Sequence, residues 1–392
     1  MGERWRQSRR NEFKEINEVP LSDKELKTIS RANCWTCLFC KQSCPFFELG
    51  GKRIIDTPFG KIRAFKYMEK WGLKPNKKLQ EATYQCTTCG RCVVLCSMGI
   101  DVPKMIEGLR SDLHTKYKMP LLEDHEKIVK SIQKNGNPYS EPREKREDWL
   151  EKPVTGKEYL YFVGCTAAYK SSNIAKSTVQ LLQKSGIKLS TMKEETCCGA
   201  PLLQLGLFDE AKKLAVENAE NMRKSGIRKI VTSCAHCYRT LKMDYPEMGL
   251  KFDFEVYHIS EILSDLIKNG RLKLRNPGKK KTTVTYHDPC YLGRRSGIYT
   301  IPRDIIGSIP DVDFVEMAHN KEDGLCCGAG GGLFWTFKEK TLAMSQARIK
   351  EARDTKAQYL VSACPFCKLQ LSESAGKKPT VLDLTEFIAK SL

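Results

Sequence analysis

The spacing of apolar residues predicts mainly helices in the first third of the 392-residue chain. Ile62, Phe65 and Met68 recur at every third position, which predicts a helix over residues 61–71. A second, charged helical stretch follows Asp101 and continues to Tyr117. We therefore expect a helical N-terminal region.

The pattern changes in the remaining two thirds of the chain. Short runs of apolar, β-branched or aromatic residues, each preceded by a charged or turn-like segment, predict buried strands over 159–163, 230–232, 284–286 and 359–361. Helical patterns over 209–224 and 338–352 lead into the second and the fourth of these runs. Such alternation predicts parallel sheets with helices on their faces.

The composition agrees with a folded protein and gives no sign of a membrane span. Hydrophobic residues make up 41% of the chain and charged residues 29%, which suits two or three globular domains. The longest stretch without a charge, 324–337, has 14 residues, fewer than the ~20 that a membrane helix needs. The first residues lack the apolar core of a secretory signal. We expect a cytoplasmic protein that contacts the inner face of a membrane only through a partner.

Eighteen cysteines are the strongest chemical signal, and disulfides are not the expected explanation in a cytoplasmic chain of this size. The first eight form two runs with the spacing C-x2-C-x2-C-x3-C: Cys34, Cys37, Cys40 and Cys44, then Cys86, Cys89, Cys92 and Cys96. This spacing is typical of cubane 4Fe-4S clusters, in which the fourth cysteine of each run serves the other cluster. The sequence therefore predicts two cubanes.

The expected ligand sets cross between the two runs. One cluster would be bound by Cys34, Cys37, Cys40 and Cys96, and the other by Cys86, Cys89, Cys92 and Cys44. Zinc is the alternative, although it prefers sites built from two C-x2-C pairs. Proline follows the first run and serine the second, a difference that affects the turn rather than the ligands.

The other ten cysteines form an internal repeat. Each copy has a lone cysteine, an adjacent pair followed by glycine, and a C-x2-C pair. The intervening stretches have 31 and 35 residues in the first copy and 35 and 36 in the second, which indicates a duplicated unit. The two sets are Cys165, Cys197, Cys198, Cys234 and Cys237, then Cys290, Cys326, Cys327, Cys364 and Cys367.

The predicted strands place both sets at sheet edges. Cys165, Cys234, Cys290 and Cys364 each follow a predicted strand by a few residues. Ligands collect beyond the carboxyl ends of parallel strands, so we expect each copy to gather its five cysteines at one edge. Two copies facing edge to edge would bring two metal sites close together. Five thiolates exceed what zinc or an ordinary cubane needs.

The repeated cysteines resemble those of a known family. The Cys-Cys-Gly motifs at 197–199 and 326–328, with the preceding Cys165 and His287-Asp288-Pro289-Cys290, resemble the cysteine-rich CCG domain of heterodisulfide reductases. Fused to two cubane motifs, the layout resembles the D subunit of those enzymes. The resemblance covers about residues 28–392 and implies an α+β multidomain fold with a helical ferredoxin-like domain followed by two α/β CCG units.

The resemblance also implies chemistry. Each five-cysteine set would bind a noncubane 4Fe-4S cluster, giving two cubane and two noncubane clusters in total. The two noncubane clusters together would cleave a disulfide of the coenzyme M–coenzyme B type, with one thiolate captured on each. Iron accepts soft sulfur ligands, which agrees with this role. Electrons would enter through the cubane clusters, supplied by a partner subunit: a membrane b-type cytochrome, or a soluble flavin or hydrogenase module.

Two other interpretations stay open. Iron–sulfur subunits of glycolate, lactate and glycerol-3-phosphate oxidases share this layout and relay electrons to quinone, although we expect some CCG cysteines to be replaced in them. A purely structural or regulatory iron–sulfur protein is the third interpretation. The complete set of ten cysteines favours disulfide chemistry. His236 and His287, beside cysteines, would either supply a proton or orient contacts around the clusters.

The net charge of +19 would usually suggest a nucleic-acid partner. No aromatic-basic recognition module accompanies this charge, and thiolate-bound clusters carry negative charge. We therefore expect the positive excess to act partly as counter-charge, and we predict no nucleic-acid binding.

A turn-forming segment rich in Asn and Pro marks a domain boundary. The expected division is an N-terminal extension, a ferredoxin-like domain, a linker and two CCG domains, over residues 1–30, 31–133, 134–158, 159–275 and 282–392.

Overall fold

The computed structural model describes residues 37–49, 51–278 and 281–392. Cys34 and the basic extension over residues 1–30 lie outside these ranges. A helical part comes first, and two four-stranded parallel sheets, each with its own helices, follow it. The α+β multidomain architecture expected from the sequence is therefore confirmed. No helix in the described ranges has the length and apolar character required to cross a membrane.

Short helices build the N-terminal part and carry or flank the described cysteines of the two ferredoxin runs. The predicted helix over 61–71 is confirmed and is longer, because the Thr57 hydroxyl accepts from the amide of Gly60 and caps its start. It ends at Gly72, whose φ of 62° favours glycine. The helices are α1 (Phe39–Gln42), α2 (Pro45–Leu49), α3 (Pro58–Trp71), α4 (Lys77–Tyr84), α5 (Arg91–Val94), α6 (Val102–Thr115) and α7 (Glu123–Asn135).

The first sheet has the order β2-β1-β3-β4, with every neighbouring pair parallel. Its strands are β1 (Tyr159–Tyr161), β2 (Leu189–Ser190), β3 (Lys229–Thr232) and β4 (Glu255–His258). Its helices are α8 (Cys165–Tyr169), α9 (Ser172–Lys184), α10 (Ala200–Leu205), α11 (Phe208–Lys224), α12 (Ala235–Arg239), α13 (Tyr245–Glu247) and α14 (Ile259–Lys268). A π-helical turn over 240–244 joins α12 to α13.

The second sheet repeats the first, with the order β6-β5-β7-β8 and parallel pairing throughout. Its strands are β5 (Thr282–His287), β6 (Val312–Phe314), β7 (Tyr359–Ser362) and β8 (Thr380–Asp383). Its helices are α15 (Thr300–Gly307), α16 (Leu333–Thr336), α17 (Lys338–Asp354), α18 (Pro365–Ala375) and α19 (Leu384–Lys390). The identical strand order is what a duplicated unit requires.

The last helix of each copy begins with the same capping box. His258 caps α14 and pairs with Glu261 in a capping box, and Asp383 caps α19 and pairs with Glu386 in the same way. These residues occupy matching positions in the two copies, so the repeat extends to hydrogen bonds that start a helix. The two last helices therefore begin at equivalent places.

The first strand is shorter than the apolar pattern predicts. The expected strand over 159–163 ends at Tyr161, because the amides of Val163 and Gly164 donate to the Glu195 carboxylate instead of to a neighbouring strand. This early end turns the chain toward Cys165. A side chain two residues before the Cys-Cys-Gly motif thus sets where the strand stops.

A buried guanidinium joins the three parts of the molecule. The side chain of Arg110 on α6 is fully buried and donates to backbone carbonyls of each part. The acceptors are the carbonyls of Thr83, Tyr84 and Cys86 in the helical part, Gln204 in the first copy and Gly331 in the second. The loop that begins the second cysteine run is thereby attached to both CCG copies.

Removing this guanidinium should destabilise the whole chain. In Arg110→Met the five carbonyls lose the guanidinium, and only that of Tyr84 keeps another backbone donor, the amide of Cys86 at 2.8 Å, among the turn and loop bonds of the described residues. We therefore expect the free energy of unfolding to fall by about 3 kcal/mol or more. Anaerobic urea unfolding followed by circular dichroism measures this. Arg228→Met, which removes an exposed ion pair with Asp253, is the matched control and should behave like the wild type. Equal unfolding midpoints for the two variants would contradict the prediction.

Candidate metal centre

The five cysteines of the first copy surround one cavity. Cys165 begins α8 directly after β1, Cys197 and Cys198 precede α10, and Cys234 and Cys237 bracket the start of α12. All five side chains are buried and line a single cavity together with His236, Trp335 and Phe366. The five cysteines thus lie at the carboxyl ends of the parallel strands, where sheets of this kind bind ligands.

The thiols of this set interact in series. Cys197 contacts Cys165 on one side and Cys198 on the other. The thiols of Cys197 and Cys237 donate to Cys198 and lower its pKa to about 5. Cys237 also contacts Cys234. The set therefore forms one continuous group of sulfur atoms, with its most easily ionised thiol in the Cys-Cys-Gly motif.

A buried ion pair holds the loop that carries Cys165. Glu195 accepts from the amides of Val163 (2.8 Å) and Gly164 (2.9 Å), and it pairs with Arg146. The side chains of Arg146 and Glu195 are 3% and 1% exposed. Both Arg146 terminal nitrogens lie 3.8 Å from the Cys165 sulfur. The carboxylate neutralises this cation, so the pair fixes the loop without adding net charge to the first set.

The second copy arranges its five cysteines in the same way. The sulfur atoms of Cys327 and Cys367 are 3.4 Å apart, and Cys326 contacts both Cys290 and Cys327. The ligand atoms of His287, Cys327 and Cys367 all lie within 4.8 Å of one another. His287 Nδ1 faces the Arg348 Nε atom at 3.1 Å, and its buried Nε2 has no hydrogen-bond partner in the described part of the chain.

The two copies meet edge to edge, as the strand pattern predicts. Cys234 of the first copy, Cys364 of the second and His236 place their ligand atoms within 4.8 Å of one another. The His236 Nδ1 atom is 3.9 Å from the Cys364 sulfur, and the ring stacks on Tyr291 with centroids 4.0 Å apart. The histidine that the sequence places beside the C-x2-C pair therefore lies between the two sets.

The described cysteines of the ferredoxin-like part form two groups, one around a cavity and one nearer the surface. Cys44, Cys86, Cys89 and Cys92 line one cavity, which is the set that cross-donation predicts for the second cluster. Cys37 is exposed, and Cys40 and Cys96 are partly exposed. The assignment of these residues as ligands stays a prediction, and Cys34 lies outside the described residues.

The ferredoxin-like part touches the second copy through cysteines. The Cys89 thiol lies within hydrogen-bonding reach of the Cys326 thiol, and Cys364 in turn interacts with Cys234 of the first copy. Sulfur contacts therefore run from the second ferredoxin run, through the second copy, into the first. The contact order is Cys89, Cys326, Cys327, Cys367, Cys364, Cys234, Cys237, Cys198, Cys197 and Cys165.

The chemistry of these donors fits iron–sulfur clusters. All 17 described cysteines are free of disulfides, and thiolates are the ligands that iron–sulfur clusters use. Burial raises the pKa of Cys44 to about 12, and burial also raises the pKa of Cys92 well above its usual value. Buried thiolates therefore need a bound cation to become stable.

A larger cavity leads from the surface to the first set. It has a volume of about 590 Å³ and shares Pro138, Tyr139 and Trp335 with the cavity that the first set surrounds. Its other walls include Phe334 and charged side chains of both signs: Lys127, Lys170, Lys338, Asp124, Glu339 and Glu373. The cysteines of the first copy therefore adjoin a cavity of small-molecule size.

Comparison with known proteins identifies the domains. A model of the cysteine-rich (CCG) domain family matches residues 159–242 and 284–372, and a model of the 4Fe-4S dicluster domain matches residues 30–100. A solved structure of a hypothetical protein from Helicobacter pylori shares the fold, with a TM-score of 0.55 and 11% identity over 97% of this chain and 74% of that one. The chain thus combines a 4Fe-4S dicluster domain with a duplicated CCG domain.

Two relatives with known names indicate the family to which the chain belongs. The D subunit of the dihydromethanophenazine:CoB–CoM heterodisulfide reductase of Methanosarcina barkeri is 36% identical, over 92% of this chain and 93% of its own. An EtfAB:quinone oxidoreductase of Syntrophomonas wolfei is 31% identical, over 80% of this chain and 47% of its own. The chain belongs to the family of heterodisulfide reductase D subunits, which confirms the resemblance seen in its cysteine motifs.

Sequence reasoning missed the charged residues around the cysteines. Arg146 lies in the segment expected to be a linker, and Arg110 lies in a helix with no cysteine. The sequence could have indicated a role for Glu195, because this residue stands two residues before the Cys-Cys-Gly motif. The second copy has Gly324 at the matching position, so the repeat alone does not reveal this carboxylate.

Replacing the carboxylate should weaken the first set selectively. Glu195→Gln leaves Arg146 buried without a counter-charge and weakens the acceptor of the two amides before Cys165. We expect the iron content of the anaerobic protein to fall by ~4 atoms, the content of one 4Fe-4S cluster. Glu194→Gln changes the neighbouring exposed carboxylate and should keep the full content. Iron and sulfide analysis checks both variants, and equal iron in the two would refute the role of Glu195.

Proposed function

We propose that this iron–sulfur oxidoreductase reduces a thiol heterodisulfide of the coenzyme M–coenzyme B type to two thiols. The observation that carries the proposal is the meeting of two complete five-cysteine sets, with Cys234, His236 and Cys364 mutually within 4.8 Å. A disulfide whose two sulfur atoms must be captured separately needs two adjacent acceptors of this kind. The relative named as part of a heterodisulfide reductase supports the same substrate class.

All eighteen cysteines would serve as ligands in this proposal. The two cross-donated sets would hold cubane 4Fe-4S clusters, and the two repeated sets would hold noncubane 4Fe-4S clusters. The cubanes would pass single electrons inward, and the noncubane pair would supply two iron sites that accept the sulfur atoms of the substrate. The continuous contacts from Cys89 to Cys165 support a route between these sets.

The side chains of this chain would bind and orient the disulfide. Tyr139 and Trp335 form the passage between the outer cavity and the first set. Trp335 stacks with Phe366 at 5.6 Å between centroids, so the passage has apolar walls that exclude water from the sulfur atoms. Lys127 and Lys170 already pair with neighbouring carboxylates. Lys338 at the outer cavity would therefore be the cation that attracts an acidic group of a coenzyme thiol.

The same proposal covers the assembly. The domain division at residues 31–133, 159–275 and 282–392 would assign electron entry to the first domain and disulfide chemistry to the other two. A redox partner subunit, either a membrane b-type cytochrome or a soluble flavin or hydrogenase module, would supply the electrons. Any contact with the inner face of a membrane would be made through that partner.

Turnover of the anaerobic protein tests the proposal. We expect reduced viologen to be oxidised in the presence of the coenzyme M–coenzyme B heterodisulfide. The matched variants Cys198→Ala and Cys327→Ala, one in each copy, should both abolish turnover and each remove one noncubane electron paramagnetic resonance (EPR) signal. Loss of that signal with full turnover in either variant would reject the proposed chemistry.

Electron relay to quinone is the second candidate, and the relative named as an EtfAB:quinone oxidoreductase favours it. In that case a flavoprotein, such as a glycolate, lactate or glycerol-3-phosphate oxidase, would reduce this chain. Quinone reduction by the protein with such a flavoprotein, together with no heterodisulfide turnover at full iron content, would establish the relay.

A further inference from the structure

Arg294 clamps the loops on both sides of the contact between the ferredoxin-like part and the second copy. Its Nε atom donates to the carbonyl of Cys89 at 2.7 Å. Its Nη1 atom donates to the carbonyls of Gly324 (2.8 Å) and Glu322 (3.0 Å), in the loop that leads to Cys326. One side chain therefore fixes the distance between the loops whose thiols, Cys89 and Cys326, are in contact.

The positive charge of Arg294 faces sulfur atoms from both parts. Burial tends to lower the pKa of this guanidinium, but the thiolates of Cys89, Cys290 and Cys326 outweigh the burial and raise it. The Nη2 atom is buried and has no hydrogen-bond partner among the described residues. Its Nε and Nη1 atoms thus orient the guanidinium. The Nη2 atom is left to interact with an anion where the ferredoxin-like part meets the second copy.

No carboxylate in the described part of the chain forms an ion pair with Arg294, in contrast to several other arginines in and next to the two CCG copies. The paired examples are Arg146 with Glu195, Arg295 with Glu107, Arg303 with Asp288 and Arg348 with Glu351. A charge that a carboxylate neutralises has little effect beyond its partner. An unneutralised charge in a poorly solvated place acts on every neighbouring group.

The two copies therefore differ in local charge. In the first copy the cation next to the cysteines, Arg146, is neutralised by Glu195. In the second copy the position of that carboxylate is occupied by Gly324, which offers only its backbone carbonyl to Arg294. The same fold thus provides a neutral pair beside one five-cysteine set and a net positive charge beside the other.

We propose that Arg294 is a positioning residue whose unneutralised charge favours the reduced state of the iron–sulfur groups at the junction between the ferredoxin-like part and the second copy. Reduction adds one electron, and therefore one negative charge, without making or breaking a bond. A fixed cation held beside the loops that carry Cys89 and Cys326 would stabilise that added charge. The inference rests on the cluster loading of the proposed function and is independent of the substrate.

Two variants of similar length separate the charge from the clamp. Arg294→Met and Arg294→Lys both lose the forked hydrogen bonds, but only the methionine loses the charge. In an EPR-monitored redox titration with dithionite as the electron donor and no disulfide present, Arg294→Met should lower the reduced-to-oxidised ratio of one cluster, at a fixed potential, on the order of tenfold. Arg294→Lys should stay within about twofold of the wild type.

A neighbouring arginine gives the matched control. Arg295→Met also removes a cation, but that cation is paired with Glu107 at 3.7 Å. Burial raises the pKa of Glu107 to about 7, so the carboxyl can take up a proton and offset the lost charge. We expect its titration to match that of the wild type.

The outcomes separate the possibilities. A fall of the ratio in Arg294→Met, with near-normal values in Arg294→Lys and Arg295→Met, supports the electrostatic role. Equal falls in the Met and Lys variants, an unchanged ratio in both, or loss of iron from both would overturn it, since each would leave at most a structural clamp. The titration needs no substrate, so absence of heterodisulfide turnover would leave this result unaffected and would count only against the proposed function.

Discussion

The arrangement of the cysteine sets depends on the buried guanidinium of Arg110. Its donors bind carbonyls at the start of the second ferredoxin run, before the end of α10 and in the glycine-rich loop of the second copy. Lysine could not replace it, because a single ammonium lacks the planar set of donors that reaches several carbonyls at once. Each of these carbonyls would otherwise be buried without a donor. The relative positions of three cysteine-bearing segments are thus set by one side chain.

Close backbone contact completes that arrangement. A Cβ atom on Gly331 would lie 2.0 Å from the carbonyl oxygen of Cys86, and one on Gly330 would lie 2.6 Å from that of Thr87. Gly331 also has a φ of 66°, which favours glycine. The glycine run that follows the second Cys-Cys-Gly motif therefore lets the second copy pack directly on the loop of the second ferredoxin run. Its role is this close approach of two backbones.

The sequence was sufficient for the fold, for the two five-cysteine sets and for the grouping of Cys44 with the second ferredoxin run, because these follow from local periodicity and spacing. The duplicated parallel sheets and the edge-to-edge contact between copies are confirmed. The contact between Cys89 and Cys326 could not be predicted, since it joins residues 237 positions apart through a packing that only the folded chain defines. Arg110 and Arg294 were missed for the same reason: their acceptors are backbone carbonyls, which leave no residue pattern. Ligand assignments for the cysteines remain predictions.

Buried cations connect this arrangement to folding. The side chain of Lys61 is 1% exposed and donates to the carbonyl of Asp56. Burial lowers the pKa of Lys61, while the thiolates of Cys86 and Cys44 raise it. A charged lysine is costly there unless those sulfur atoms are anionic, and the sulfur atoms are costly as anions unless they bind a metal. Cation, thiolate and cluster therefore stabilise one another. Part of the net charge of +19 is consequently internal counter-charge, and insertion of the clusters should be coupled to closure of the helical part around them.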